Sequence, residues 1–170
     1  MRNDMRKEAS PVRLYHGSNV EVREPRLLRK YRDLDFGRGF YVTSDIRQAR
    51  TWAIRTARIR GAGNPTVTVY DLDESELADL AVLRFAEPNE RWLKFVAAHR
   101  TGEVMDDMWD IVRGPVADDR TVGVLLMYLD GYLTEQEAIR RLLPEKLSDQ
   151  IVFKSPQALE RLHYVEVLSL

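Results

Sequence analysis

The chain has 170 residues, 44% of them hydrophobic and 31% charged, which suits one soluble globular domain of ordinary composition. It has no cysteine and three dispersed histidines (His16, His99, His163), excluding disulfide scaffolds, thiolate nucleophiles and Cys-based metal centres; no metal site is expected. The net charge of -1 conceals an asymmetry, because residues 1–69 hold 15 Lys and Arg against 7 Asp and Glu, whereas residues 70–170 hold 11 against 20.

A basic first half points to an anion, whether a dinucleotide phosphate, a nucleic acid or an acidic protein, or else to two halves that neutralise each other in the fold. No apolar run approaches the roughly 20 residues that span a bilayer, and Met1–Ser10 is charged without an apolar stretch. The expected location is cytoplasmic, with no membrane partner.

Met1–Pro11 reads as a polar arm ahead of a single domain over 12–170. Val12–His16 alternates apolar and polar residues and reads as a strand, broken at Gly17-Ser18-Asn19. Val20–Asp35, with Arg23, Arg26, Arg29, Lys30 and Arg32, reads as an exposed basic loop. Gly39–Thr43 is a second strand after a Gly-x-Gly turn, and Ser44 caps a helix whose apolar face is Ile46, Ala49, Ala53 and Ala57, as far as Gly61. Thr66–Tyr70 is a third strand, and Glu74–Arg84 reads as a short amphipathic helix. Pro88 opens a helix over Glu90–Arg100 that presents Trp92, Phe95, Val96 and His99 on one side. Met108–Val112 reads as a strand, Gly114-Pro115 as a turn, and Arg120–Asp130 and Thr134–Leu143 as helices, the latter with a capping box from Thr134 to Glu137. Ile151–Phe153 is a strand, Pro156–Leu162 a short helix and Tyr164–Leu168 a last strand. The expected class is α+β.

No P-loop, dinucleotide fingerprint, H-E-x-x-H or G-x-S-x-G motif occurs. The informative pieces are a strand ending in Tyr15-His16-Gly17-Ser18, then Phe36-Gly37-Arg38-Gly39-Phe40-Tyr41-Val42-Thr43, then a helix carrying Trp52, and late in the chain Ser148–Phe153. In these motifs, which cover about half its length, the sequence resembles the ADP-ribosyltransferase superfamily in its histidine–tyrosine branch, shared by poly-ADP-ribose polymerases and diphtheria-type toxins. Within that branch it is most similar to small bacterial domains often found with toxin–antitoxin pairs.

The resemblance implies a split antiparallel sheet with inserted helices and NAD in the cleft between its halves. It implies that His16 bonds a ribose hydroxyl, the Gly17 backbone holds the carboxamide, and Tyr41 and Trp52 sandwich the nicotinamide, with Ser18 and Gly39 also at the cofactor. The third motif position is Asp149 or Gln150. A glutamine there holds ribose hydroxyls but supplies no negative charge, so Asp118 and Asp119 are candidates for assistance, the bland alternative being a helix cap; Asp106-Asp107 reads as a loop pair. Ala49 stands where relatives often carry a serine. The implied activity is mono-ADP-ribosylation by the toxin of a toxin–antitoxin pair, with NAD as substrate, an unidentified protein or nucleic-acid acceptor, and an antitoxin protein as partner. The alternatives are an NAD glycohydrolase and a non-catalytic module that binds ADP-ribose or a protein. Arg23 to Arg38 are expected to meet the pyrophosphate or the target.

Overall fold

The computed structural model describes residues 10–27, 34–103, 108–117, 121–143 and 145–170. Among the described residues, seven strands form two sheets. β1 (Val12–Ser18), β3 (Thr66–Leu72) and β7 (His163–Ser169) make an antiparallel sheet in the order β1-β3-β7. β2 (Phe40–Val42), β4 (Val82–Arg84), β5 (Ile111–Pro115) and β6 (Asp149–Phe153) make the other, in the order β2-β6-β5-β4. Its pairs are antiparallel except β4–β5, so the second sheet is mixed. Five α-helices accompany the strands among the described residues: α1 (Ile46–Arg60), α2 (Glu90–Arg100), α3 (Val122–Leu129), α4 (Glu135–Leu142) and α5 (Pro156–Leu159). The class is α+β.

The two sheets touch at one place that matters for the site. Tyr15 and Thr43 exchange backbone hydrogen bonds, Tyr15 N to Thr43 O at 2.9 Å and Thr43 N to Tyr15 O at 3.0 Å. This brings the end of β1 alongside β2. Alternation then sorts the side chains of the second sheet. Phe40, Val42, Ile111, Ile151 and Phe153 join Leu14, Tyr70 and Leu72 in a core drawn from both sheets. Tyr41 and Val152 face the other way, toward Phe36, Trp92, Leu93, Leu125 and Leu142 beneath α2, α3 and α4. Burying each large apolar side chain contributes about 1.5–3 kcal/mol, so these two clusters account for most of the stabilisation. Trp92 also does a positional job: fully buried, its indole Nε1–H donates to the Pro115 carbonyl at 3.0 Å, anchoring the chain just before Val116 and Ala117.

Local chemistry explains most boundaries. Asp45, not Ser44, caps α1, its carboxylate accepting from Arg47 N at 2.9 Å, and Gly61 ends the helix in the left-handed region at φ 61°. Thr134 and Glu137 form the expected capping box of α4, and Asn89 caps α2 through Trp92 N. Further expectations are corrected. Glu74–Arg84 is not one helix: a short 3-10 turn over Glu74–Leu77 is followed by β4, because Val82-Leu83-Arg84 gains a ladder beside β5. The strand expected at Met108–Val112 begins instead at Ile111, since the Asp110 carboxylate turns back to accept from Ala81 N at 2.9 Å. Gly114-Pro115 is no turn but the end of that strand, paired with Gln150 and Asp149; a side chain at Gly114 would press on Phe85. β1 likewise runs on through Gly17 and Ser18. Among the described residues no helix is long and apolar enough to cross a membrane.

Candidate functional site

A cleft of about 810 Å³ opens where the end of β1, strand β2, the start of β6 and the inner side of α1 meet. His16, Gly17, Ser18, Gly39, Tyr41, Trp52 and Gln150 all line it. Positions from four separate segments of the sequence therefore converge on one space. Asp149 does not line it. As the neighbour of Gln150 on a strand it turns to the opposite side, where its Oδ1 accepts from Thr43 Oγ1 (3.0 Å), Ser44 N (3.1 Å) and Ser44 Oγ (2.8 Å). Its task is to tie β6 to the turn that begins α1. Asp106, Asp107, Asp118 and Asp119 lie outside the described residues, as do residues 1–9 of the arm.

His16 is half-buried, its ring stacked on Phe40 with centroids 4.3 Å apart. Its Nδ1 lies 2.7 Å from the Tyr41 carbonyl oxygen. A carbonyl only accepts, so Nδ1 carries the hydrogen and the neutral ring keeps its lone pair on Nε2. Burial pushes the His16 pKa below its ordinary value; the bond to Tyr41 opposes this, and the positive charge of Arg60 adds to the lowering. The ring is thus a neutral hydrogen-bond acceptor at physiological pH. His99 and His163 are elsewhere: His99 is buried against Phe95, with Nδ1 at the Phe95 carbonyl, and His163 pairs with Glu76.

Tyr41 is fixed at both ends. Its backbone carbonyl holds His16, and its hydroxyl donates to the Gly37 carbonyl at 2.6 Å while accepting from Phe36 N at 3.2 Å. Gly37, at φ 75°, supplies the turn that closes this small ring of bonds. Trp52, Thr56 and Arg60 line the cleft from α1 at near-helical spacing. Gly17 has a structural reason to be glycine, since a Cβ there would meet α1 backbone at Ala53 N (2.8 Å) and Ala49 C (2.9 Å) and come closer still to the Ala49 carbonyl oxygen. Ala49 is fully buried in that same contact, and so has no side chain to offer a ligand.

Of the basic residues expected to meet an anion, Arg26 and Arg38 reach the cleft, joined by Arg60 and Arg100. Arg23 does not: it bonds Glu21 and lies over the Tyr164 ring. Residues 28–33 lie outside the described residues.

Asp35 escaped sequence reasoning. It is 6% exposed at the cleft wall, accepting from Arg100 Nε (2.7 Å) on Oδ1 and from Ala117 N (2.9 Å) and Gln150 Nε2 (3.0 Å) on Oδ2. Only its position just before Phe36-Gly37-Arg38-Gly39 hinted at a role, because its partners come from three distant segments. The cleft thus combines aromatic walls, a neutral imidazole acceptor, a buried amide and arginine charge. These features suit a ligand with a planar ring, hydroxyl donors and an anionic portion.

A family model described as "Protein of unknown function (DUF3990)" matches residues 12–164. The chain belongs to this family. The DUF3990 match spans every strand and helix named above apart from most of β7, of which it includes only His163 and Tyr164. Comparisons with curated proteins and with solved structures found no match for this DUF3990 chain.

Proposed function

We propose that this chain is an NAD-dependent mono-ADP-ribosyltransferase, acting as the toxin of a toxin–antitoxin pair on a macromolecular acceptor. The observation that carries the reading is the convergence of His16, Tyr41, Trp52 and Gln150 on one cleft. These are the positions that its resemblance to the histidine–tyrosine branch of the ADP-ribosyltransferases picks out.

The chemistry follows from these groups. Nicotinamide in NAD is a planar cation, which favours the aromatic faces of Tyr41 and Trp52. The neutral His16 accepts a ribose hydroxyl through Nε2, and Arg38 and Arg60 of the cleft offset part of the charge of the pyrophosphate. In the reaction the bond between the ribose C1′ and the nicotinamide nitrogen breaks. Its electron pair stays with the ring, which leaves neutral. An acceptor lone pair then bonds to C1′, and the acceptor's proton passes to solvent. Gln150 holds a ribose hydroxyl, orienting the sugar as positive charge develops on it.

The test is a thermal shift followed by turnover. NAD at millimolar concentration raises the melting temperature, and nicotinamide appears together with ADP-ribosylated lysate macromolecules. Free ADP-ribose without labelled acceptor would make the chain an NAD glycohydrolase, and binding without nicotinamide release would make it a binding module. Absence of any shift in a folded sample refutes the reading altogether.

A further inference from the structure

We infer that Asp35 is a positioning residue that fixes which way the Gln150 carboxamide faces. The inference rests on the reading of Gln150 as a ribose-holding group, but the contact itself stands on geometry. An ionised carboxylate, here neutralised by Arg100 with Nη2 at 2.5 Å and Nε at 2.7 Å, accepts hydrogen bonds and donates none. Of the two ends of the Gln150 amide, only the NH2 can therefore face Asp35, and the Nε2–Oδ2 distance is 3.0 Å. The amide is planar, so its oxygen is directed to the other side and becomes the atom that Gln150 offers the cleft it lines.

The carboxylate is itself held in place. Arg100 comes from the last turn of α2, and the donating Ala117 N follows the Pro115 carbonyl that Trp92 anchors. Asp35 is 6% exposed and Gln150 3%, so water does not compete freely for either group. Without Asp35 the amide has two nearly isoenergetic orientations, of which one turns donors rather than an acceptor toward a ligand hydroxyl. The same contact opposes a carboxylate in place of the Gln150 amide. Two buried carboxylates side by side cannot both ionise cheaply, so Gln150→Glu holds a proton that the wild type lacks.

The experiment compares wild type, Asp35→Ala, Gln150→Glu and the double variant Asp35→Ala/Gln150→Glu. The first readout is the urea midpoint of the ligand-free protein against pH, which is independent of any NAD chemistry. In Gln150→Glu the folded-state carboxyl pKa is raised above its unfolded value, so stability is greatest at low pH and is lost as pH rises. The midpoint relative to wild type falls by roughly 0.5 M or more between about pH 5 and pH 8. In the double variant the like charge that faces the introduced carboxylate is gone, and this extra pH dependence disappears. The second readout is nicotinamide release. Asp35→Ala leaves the amide free to turn either way and lowers kcat, whereas the double variant, whose carboxylate presents an acceptor in either orientation, recovers activity relative to Asp35→Ala. Matching pH profiles for Gln150→Glu and wild type overturn the inference, as do effects of the two substitutions that simply add. If Asp35→Ala does not fold, the pH profile of Gln150→Glu decides alone. If wild type releases no nicotinamide, the function reading fails while the stability profiles still decide the role of Asp35.

Discussion

Replacing Gly17 by alanine separates two reasons for a glycine at the end of β1, close approach of a ligand and close approach of a helix. The added Cβ would stand 2.8 Å from Ala53 N and 2.9 Å from Ala49 C, where ordinary contacts begin at 3.4 Å, and nearer still to the Ala49 carbonyl oxygen. All three atoms are helix backbone, so no side chain can swing away; α1 must retreat by more than about half an ångström. That retreat opens the contact in which Ala49, Ala53 and Val67 are fully or almost fully buried. Overpacking of a tight core typically costs about 1–3 kcal/mol, and a clash with backbone alone belongs at the upper end, near 3 kcal/mol. For a chain of this size that corresponds to a fall of roughly 6–12 °C in melting temperature. Gly123→Ala is the control: Gly123 is exposed on α3 with open space around its missing Cβ, and the substitution stabilises by about 0.5–1 kcal/mol. Urea unfolding of both variants without ligand measures the difference. A Gly17→Ala midpoint close to wild type would refute the packing argument and return the glycine to the ligand.

Asp149→Ala removes the acceptor shared by Thr43 and Ser44 and lowers stability by about 2 kcal/mol, while nicotinamide release persists because Asp149 lies outside the cleft. His16 is held neutral, its pKa depressed in the folded state, so its contribution to stability is fully present above about pH 6.5 and is lost as pH falls toward the folded-state pKa. Urea titrations show this acid-side loss in wild type, and His16→Phe removes it. NAD affinity weakens over the same acid range once Nε2 gains a proton. Tyr41→Phe loses the hydroxyl bonds to Gly37 and Phe36 at a cost of about 1–2 kcal/mol yet keeps an aromatic wall, so it binds NAD; Tyr41→Ala loses the wall and relieves any growth inhibition on expression.

Much of the fold is written locally in the chain. The α1 stop at Gly61, the Thr134–Glu137 capping box and the alternation of β1 and β3 need only neighbours a few residues away, and they are legible without the structure. The segments carrying His16, Tyr41, Trp52 and Gln150 could be named because each lies in a short motif of strand or helix character. Tertiary structure alone decided the rest, wherever partners are remote. Val82–Arg84 becomes a strand because β5 offers it a ladder, against its helical pattern. Alternation along β6 made Asp149 and Gln150 diverge, but only the packing of β6 between β2 and β5 decided which of them reaches the cleft. Asp35 meets Gln150 across 115 residues of sequence and Arg100 across 65, and a lone acidic residue in a loop carries no periodicity that would announce such partners. Hydrogen bonds between buried side chains obey distance in space, and the chain order of this protein does not encode it.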